Sequence, residues 1–371
     1  MMDLSELIKE KIKAEGPISF QEFMEICLYY PGLGYYTSAQ NHVGTDGDFY
    51  TSATLTPAFG ITIARQIEEM WRHLGGETFT IVEYGGNSGC LCHDILSALQ
   101  HNQDMYKGLH YRIIEKNPVP PHQQKNKFTA KVTYHSSINE FVIDQGCILS
   151  NELLDNFPVH KVIMEEELKE IFIDYQNSFV EVVRPASQAL KAYFCDLAVQ
   201  LPKGFLAEVN LQVIPWIREV ANAMNKGYVL TIDYGYPSEE LYKPQRCSGT
   251  LLSYYKHAVS DNLYHHIGEQ DITAHVNFSA LSRWGSKNGL TDCGFTDQCH
   301  FLLSLGVQEV IQTMFSGEND LIQAAKKASL LNYILLMDMG TKFKVLIQEK
   351  GGCNKNLLGL RIPYPKGHLN H

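Results

Sequence analysis

A chain of 371 residues can form one large domain with insertions or two domains, and it can bury enough core to need no covalent staples. Nine cysteines, an odd number spread from Cys27 to Cys353 with no C-x-x-C pair and no histidines at zinc-finger spacing, argue against a disulfide framework and a structural metal. The 31 basic and 41 acidic residues leave a formal charge of −10, which makes nucleic-acid backbone a poor partner and a cationic substrate a better one.

The opening residues, MMDLSELIKEKIKAEG, carry charges every few positions and no apolar run of signal or membrane-spanning length. The expectation is a cytoplasmic protein with no membrane insertion. Asp3 with Glu6, then Ser19 with Glu22, have capping-box spacing and predict two helices, the second with Phe23, Ile26, Cys27 and Tyr30 on one face. Thr56 as N-cap, Pro57 at the first helical position, the apolar Phe59, Ile63, Ile67, Met70 and Trp71, and Gly75 as the stop predict a third. From Phe79 the pattern becomes strand, turn, helix, strand: TIVEY, a helix around Leu91, Ile95 and Leu99, YRIIE at 111–115, CILSN at 147–151 and YVLTIDY at 228–234. Such short, continuous apolar runs predict a parallel sheet covered on both faces, an open α/β fold. Residues 161–185 alternate between polar breaks and predict an antiparallel insertion, and a second insertion is rich in Tyr, His and Gly. Helical stretches near 278–290 and 318–336 follow, the latter read as core covering the sheet, and FKVLIQE at 343–349 is the last strand. The expected organisation is an N-terminal helical arm and covering segment over 1–76 and a core over 77–371, interrupted at about 160–208 and 235–277.

In an open α/β sheet, ligands sit beyond the carboxyl ends of the strands, so the turn after TIVEY is the first place to look. The dinucleotide pattern G-x-G-x-x-G fails there: counting from Gly85, Asn87 and Cys90 stand where glycines are required. That spacing disfavours a nicotinamide oxidoreductase. What stands instead is Glu83-Tyr84-Gly85-Gly86-Asn87-Ser88-Gly89, an acid two residues before the first glycine and glycines four apart. It resembles the E/D-x-G-x-G-x-G motif of class I S-adenosylmethionine-dependent methyltransferases, with Asn87 in place of the middle glycine. Asn tolerates positive φ, so the exchange is physically mild. The cofactor carries a sulfonium and an ammonium, which a carboxylate beside the turn would attract, and Glu115 stands where an acid accepts hydrogen bonds from both ribose hydroxyls. The plain alternative is that the glycines only permit close strand-to-helix packing.

Longer strings sharpen this. PGLGYYTS at 31–38, GDFYTSATLTPAFG at 47–60, SNELLDNFPVHK at 150–161, TIDYGYP at 231–237, GTLLSYYKH at 249–257, QDITAHVNFSAL at 270–281 and MGTKFKVL at 339–346 occur in one particular order. Together they closely resemble the MidA-like methyltransferase family, which includes the mitochondrial complex I assembly arginine methyltransferase. The resemblance covers nearly the whole chain. It implies a class I, Rossmann-like, seven-stranded methyltransferase sheet with a helical arm and insertions on the substrate side, S-adenosyl-L-methionine as cofactor, and a protein substrate, with a complex I subunit as a candidate. Oligomeric state is left open, a homodimer included. Two departures stand out: the family turn usually reads like G-P-G-R-G-T-L, and its T-A-H-V-D-F appears here with Asn277 for the acid.

Methyl transfer from a sulfonium is an in-line displacement, so the protein mainly aligns the nucleophile and excludes water. For the guanidinium acceptor that the resemblance implies, carboxylates should orient paired N–H donors. Glu152 and Asp155, after the fourth strand, are the candidates; Asp155 could equally cap a helix and Glu152 satisfy loop backbone. Asn151 could accept the methionine ammonium or support the adenosine. Asp233 and Tyr234 end the next strand, where the Tyr face suits a cation, or simply packs in the core. Glu83, Gly85, Gly86, Asn87, Gly89, Glu115 and Asn151 form the expected cofactor side, with residues 47–52 as its cover and Thr51 and Ser52 offering hydroxyls. His257, His265, His266 and His275 lack compact metal-ligand spacing, and His275 is expected to position Asp271 or the acceptor. The competing reading of the same residues is an assembly or binding factor with little or no catalysis.

Overall fold

The structure, a computed structural model, describes residues 3–38, 51–87, 89–116, 128, 130–256 and 258–363. Residues 47–50, Ser88 and His257, which carry parts of the expectations above, lie outside them. The central sheet runs through β1 (Phe79–Tyr84), β2 (Leu109–Ile114), β3 (Val132–His135), β4 (Ile143–Asn151), β5 (Met224–Tyr236), β6 (Thr291–Asp297) and β7 (Phe343–Lys350). Their spatial order is 3-2-1-4-5-7-6, with β7 antiparallel to both neighbours and the other core pairings parallel. The two-residue strand Val276–Asn277 adds itself beside the end of β5. The two halves of this order part between β1 and β4, which places the ligand-binding crevice there.

The apolar runs are buried on both faces, as continuous patterning requires. Ile63, Ile67, Leu91, Ile95, Leu302 and Val310 cover one face, and Leu190, Trp216, Ile217, Val220, Leu281 and Trp284 the other. The expected caps form: Asp3 accepts from Ser5 N, Ser19 from Glu22 N, and Thr56 from Ala58 N ahead of the helix Pro57–His73. The antiparallel insertion is present as His160–Met164, Leu168–Tyr175 and Phe179–Pro185, completed by Leu206–Val209. Ile18–Ser19 pairs with Ile173 and Phe172 of its second strand. Phe20, Phe23 and Met24 of the arm share a third core with Ile173 of the first insertion and Ile272 of the second.

Two expectations need correction here. The stretch at 318–336 is a helix over Leu321–Asn332 followed by a π-helical turn, but it is not sheet-covering core. Leu335 and Leu336 are buried, whereas Leu321, Ile322, Leu330, Tyr333 and Met337 are exposed. The apolar composition is real, but the helix packs over another helix at the periphery and buries only Ala324 within its own span. Tyr30 ends the second helix and is exposed, because the chain turns away at that point. Strands β3 and β6 had no sequence signal, being short or polar and, in β6, broken by a bulge between Asp292 and Gly294.

Candidate active site

The carboxyl ends of β1, β2, β4 and β5 reach one edge, where Tyr84 lies level with Ile114 and with Ser150, and Asn151 with Ile232. The loops leaving these strands therefore bring Gly85, Glu115, Glu152 and Asp233 to a common side. In the first turn Gly85, Asn87 and Gly89 all have positive φ, 69°, 42° and 77°, so Asn87 does adopt the backbone its type permits. Gly86 is held for a different reason: a Cβ there would stand 2.7 Å from Ile113 Cγ2. Asn87 N–H donates to Glu115 Oε2 at 3.2 Å, tying the turn to the end of β2. The helix Cys90–Leu99 begins directly after Gly89 with no side-chain cap, so its terminal N–H groups face the same edge.

Glu83 lies beneath this turn, its carboxyl carbon 3.3 Å from where a Cβ on Gly86 would stand. It is buried and accepts the Tyr111 hydroxyl at 2.7 Å, and burial raises its carboxyl to about 7. From there its side chain supports the turn from behind. Thr51 is corrected as a source of a ligand hydroxyl. It caps the short helix Ser52–Leu55, and its Oγ1 is engaged by Thr54 N and Thr54 Oγ1.

The other half of the edge is acidic. Glu152 adopts φ 52°, left-handed for a residue with a Cβ, at a cost of ~1–2 kcal/mol. Its own N–H donates to Ile232 O at 3.0 Å, while its Oε1 accepts Ser52 N–H at 3.0 Å and Asn151 Nδ2 at 3.1 Å. Asp233, read from sequence as a ligand-facing acid, is fully buried and is corrected to a scaffold role. Its Oδ2 accepts Leu153 N–H at 3.1 Å and Leu154 N–H at 2.8 Å, and its Oδ1 accepts Tyr234 N–H at 2.8 Å. It thereby fixes the loop that carries Glu152 and Asp155. Asp155 is buried, its Oδ1 has no hydrogen-bond partner, and burial and then the Asp233 and Asp271 charges push its carboxyl well above the usual range. Asn151 Oδ1 is a second buried acceptor with no partner. Among the described residues, no cation pairs with Glu152, Asp155 or Asp233.

Tyr234 is half-buried, with its ring 3.8 Å from that of Phe343. His275 departs from expectation: its Nδ1 has no partner, its ring lies against Tyr236 and Tyr234, and burial, then nearby Arg246 and Lys344, lowers it to about 4. It is neutral and makes no bond to Asp271, which leaves the acceptor as the other role expected of it. Asn277 caps the helix Phe278–Lys287, accepts the Ser238 hydroxyl and donates from its amide to Tyr242. The amide is used structurally, because a carboxylate could cap but could not make that last donation. Sequence reasoning passed over Tyr29, which ends the second helix, and Tyr36, which lies in the string PGLGYYTS; Tyr36 donates to Asp271 Oδ1 at 2.9 Å.

The raised carboxyls set a pH dependence. Burial puts Glu152 at about 8 and Asp233 at about 7, against 4.5 and 3.8 ordinarily. The folded chain then keeps protons that the unfolded chain releases, so stability is greatest below pH ~4 to 4.5 in these terms and falls as pH rises toward 8. Urea unfolding of the ligand-free protein between pH 5 and 8 should show that decline, and Glu152→Gln should flatten part of it. A free energy that rises across this window would contradict the assignment.

Residues 62–296 match a family model described as an S-adenosyl-L-methionine-dependent methyltransferase. The chain is 24% identical over 373 residues to human protein arginine methyltransferase NDUFAF7, mitochondrial, spanning 90% of this chain and 80% of that protein. It is 25% identical over 389 residues to the Caenorhabditis elegans homolog, spanning 94% and 89%. Among solved structures it is similar to a Burkholderia thailandensis protein, described as a likely methyl transferase, bound to S-adenosyl-homocysteine. Identity is 28% and the TM-score 0.86, covering 98% of this chain and 95% of that one.

Proposed function

The chain belongs to the S-adenosyl-L-methionine-dependent methyltransferase family, and from that premise we propose that it methylates arginine side chains of a protein partner. S-adenosylmethionine supplies a methyl group on a sulfonium, open to in-line attack. The residues present fit it: Gly85 keeps clear a space that a side chain would fill toward Leu153, Glu115 offers a carboxylate for ribose hydroxyls, and the unpartnered Asn151 Oδ1 suits an ammonium. Glu115→Ala should weaken cofactor binding tenfold or more, since hydrogen bonds to a charged acceptor contribute ~1.5–3 kcal/mol each. Calorimetry checks this, and unchanged affinity in the folded variant would remove Glu115 from the site.

The single observation that carries the arginine reading is Asp155 Oδ1, which among the described residues is a buried acceptor without a donor, in a cluster of acids without a cation. A guanidinium presents N–H pairs to such acceptors in fixed geometry, and the same contact aims one nitrogen at the methyl group. Glu152 and Asp155 hold the acceptor, Asp155 Oδ1 takes the proton that the methylated nitrogen sheds, and Asp233 keeps both in register. The partner we favour is a respiratory complex I subunit or its counterpart, on the strength of the family resemblance. Mass spectrometry of proteins from cells with and without the gene is the test. An arginine that loses a methyl group in the deletion supports the reading; a loss on another residue type, or no loss, sinks it.

A further inference from the structure

The N-terminal arm brings a second set of side chains to the acid cluster. The helix Phe20–Tyr29 ends in Tyr29, and the turn after it folds Tyr36 back so that the two rings stack, 5.6 Å apart and inclined by 24°. Gly34 makes that turn tight enough: a Cβ there would stand 2.5 Å from Tyr30 N. Tyr29 donates its hydroxyl to Asn156 O at 3.1 Å, one residue beyond Asp155, and Ala274 N–H bonds Asp155 O at 3.0 Å. Tyr36 is fixed from the far side by Asp271. Arm, acidic loop and second insertion thus converge on one place. Two observations there point to a cation: the Asp155 Oδ1 acceptor is buried and unpartnered, and the exposed Lys116 already sets its ammonium 5.3 Å from the centroid of the Tyr29 ring.

We propose that Tyr29, Tyr36 and Asp155 form a pocket for a planar cation, and that it selects guanidinium over ammonium. A guanidinium is weakly hydrated and can lie flat on a ring while its edge donates to a carboxylate; an ammonium is a compact, strongly hydrated charge that gains less from the same surroundings. Both rings are half-buried, so they serve as walls of the acceptor side. The pocket deepens the arginine reading above and rests on it for its biological occupant, but its binding can be measured without methyl transfer.

The test uses the full chain saturated with S-adenosylhomocysteine, titrated calorimetrically with N-acetyl-arginine methylamide and, separately, with the lysine analogue. The wild-type protein should bind the arginine probe more tightly. Tyr29→Leu should weaken that binding about tenfold, shrink the preference over lysine and leave S-adenosylhomocysteine affinity unchanged. Tyr29→Phe, which keeps the ring and drops only the bond to Asn156, should stay close to wild type. Should Tyr29→Leu fail to fold, Tyr36→Leu is read by the same criteria. No binding of the arginine probe by wild type, or equal weakening by Leu and Phe, overturns the pocket. Arginine binding without any methyl transfer to peptides would sink the proposed reaction and leave the pocket standing. Methylation with an unchanged KM in Tyr29→Leu would do the reverse.

Discussion

Asp233→Ala is expected to abolish measurable methyl transfer, a loss of ~10³-fold or more, and to destabilise the protein. The carboxylate makes no contact with reactants; its effect runs through the three N–H groups it accepts, two of which begin the loop that holds Asp155. Each buried donor left alone costs ~1–3 kcal/mol, which drives the loop to find other partners. A shift of an ångström in positioning groups can cost ~10² in rate, and here Glu152 and Asp155 would move together. Asp233→Asn, which keeps one acceptor oxygen, should fall between. Initial rates, paired with urea unfolding, provide the measurement. Near-normal rates in the alanine variant would show that something else holds the loop.

Gly85→Val is expected to remove cofactor binding altogether, beyond ~100-fold in affinity. Backbone at φ 69° costs a residue with a Cβ ~1–2 kcal/mol, and a β-branched one has the least freedom to relieve it. The added Cβ would also lie 3.1 Å from Leu153 Cδ1, which pushes on the acidic loop from the cofactor side. Gly86 offers the contrast: its Cβ would strike Ile113 in the core, so substitution there belongs with fold stability more than with the ligand. Calorimetry with S-adenosylhomocysteine decides, and retained affinity in Gly85→Val would show that the turn does not hold the cofactor.

The sheet was readable because its central strands are apolar on both faces, and the caps because Ser19 and Thr56 use side chains that reach only their own helix. Asn87 was readable for the same local reason. Failures came where meaning depends on a distant neighbour. Leu321, Ile322 and Leu330 have the composition of a buried helix and stand exposed, since periodicity cannot say whether an apolar face finds a partner. Thr51 offered a hydroxyl that a threonine three residues later takes up. Asp233 carries the same charge as Asp155 and differs only in which backbone lies against it. Tyr29 and Tyr36 gained their place from a fold-back that no spacing rule describes.

The pairing of Ile18–Ser19 with Phe172 and Ile173 also has a temporal side. During synthesis the arm leaves the ribosome well ahead of its sheet partner, which follows about 150 residues later. At ~5–20 residues per second, Phe20, Phe23 and Met24 wait about 8 to 30 seconds for Ile173 alone and longer for Ile272, the interval in which chaperones find uncovered apolar surface. The arm is therefore an early product and a late arrival. A fusion or translational pause that disturbs its docking would first harm the tyrosine wall it delivers, while the glycine turn could still fold.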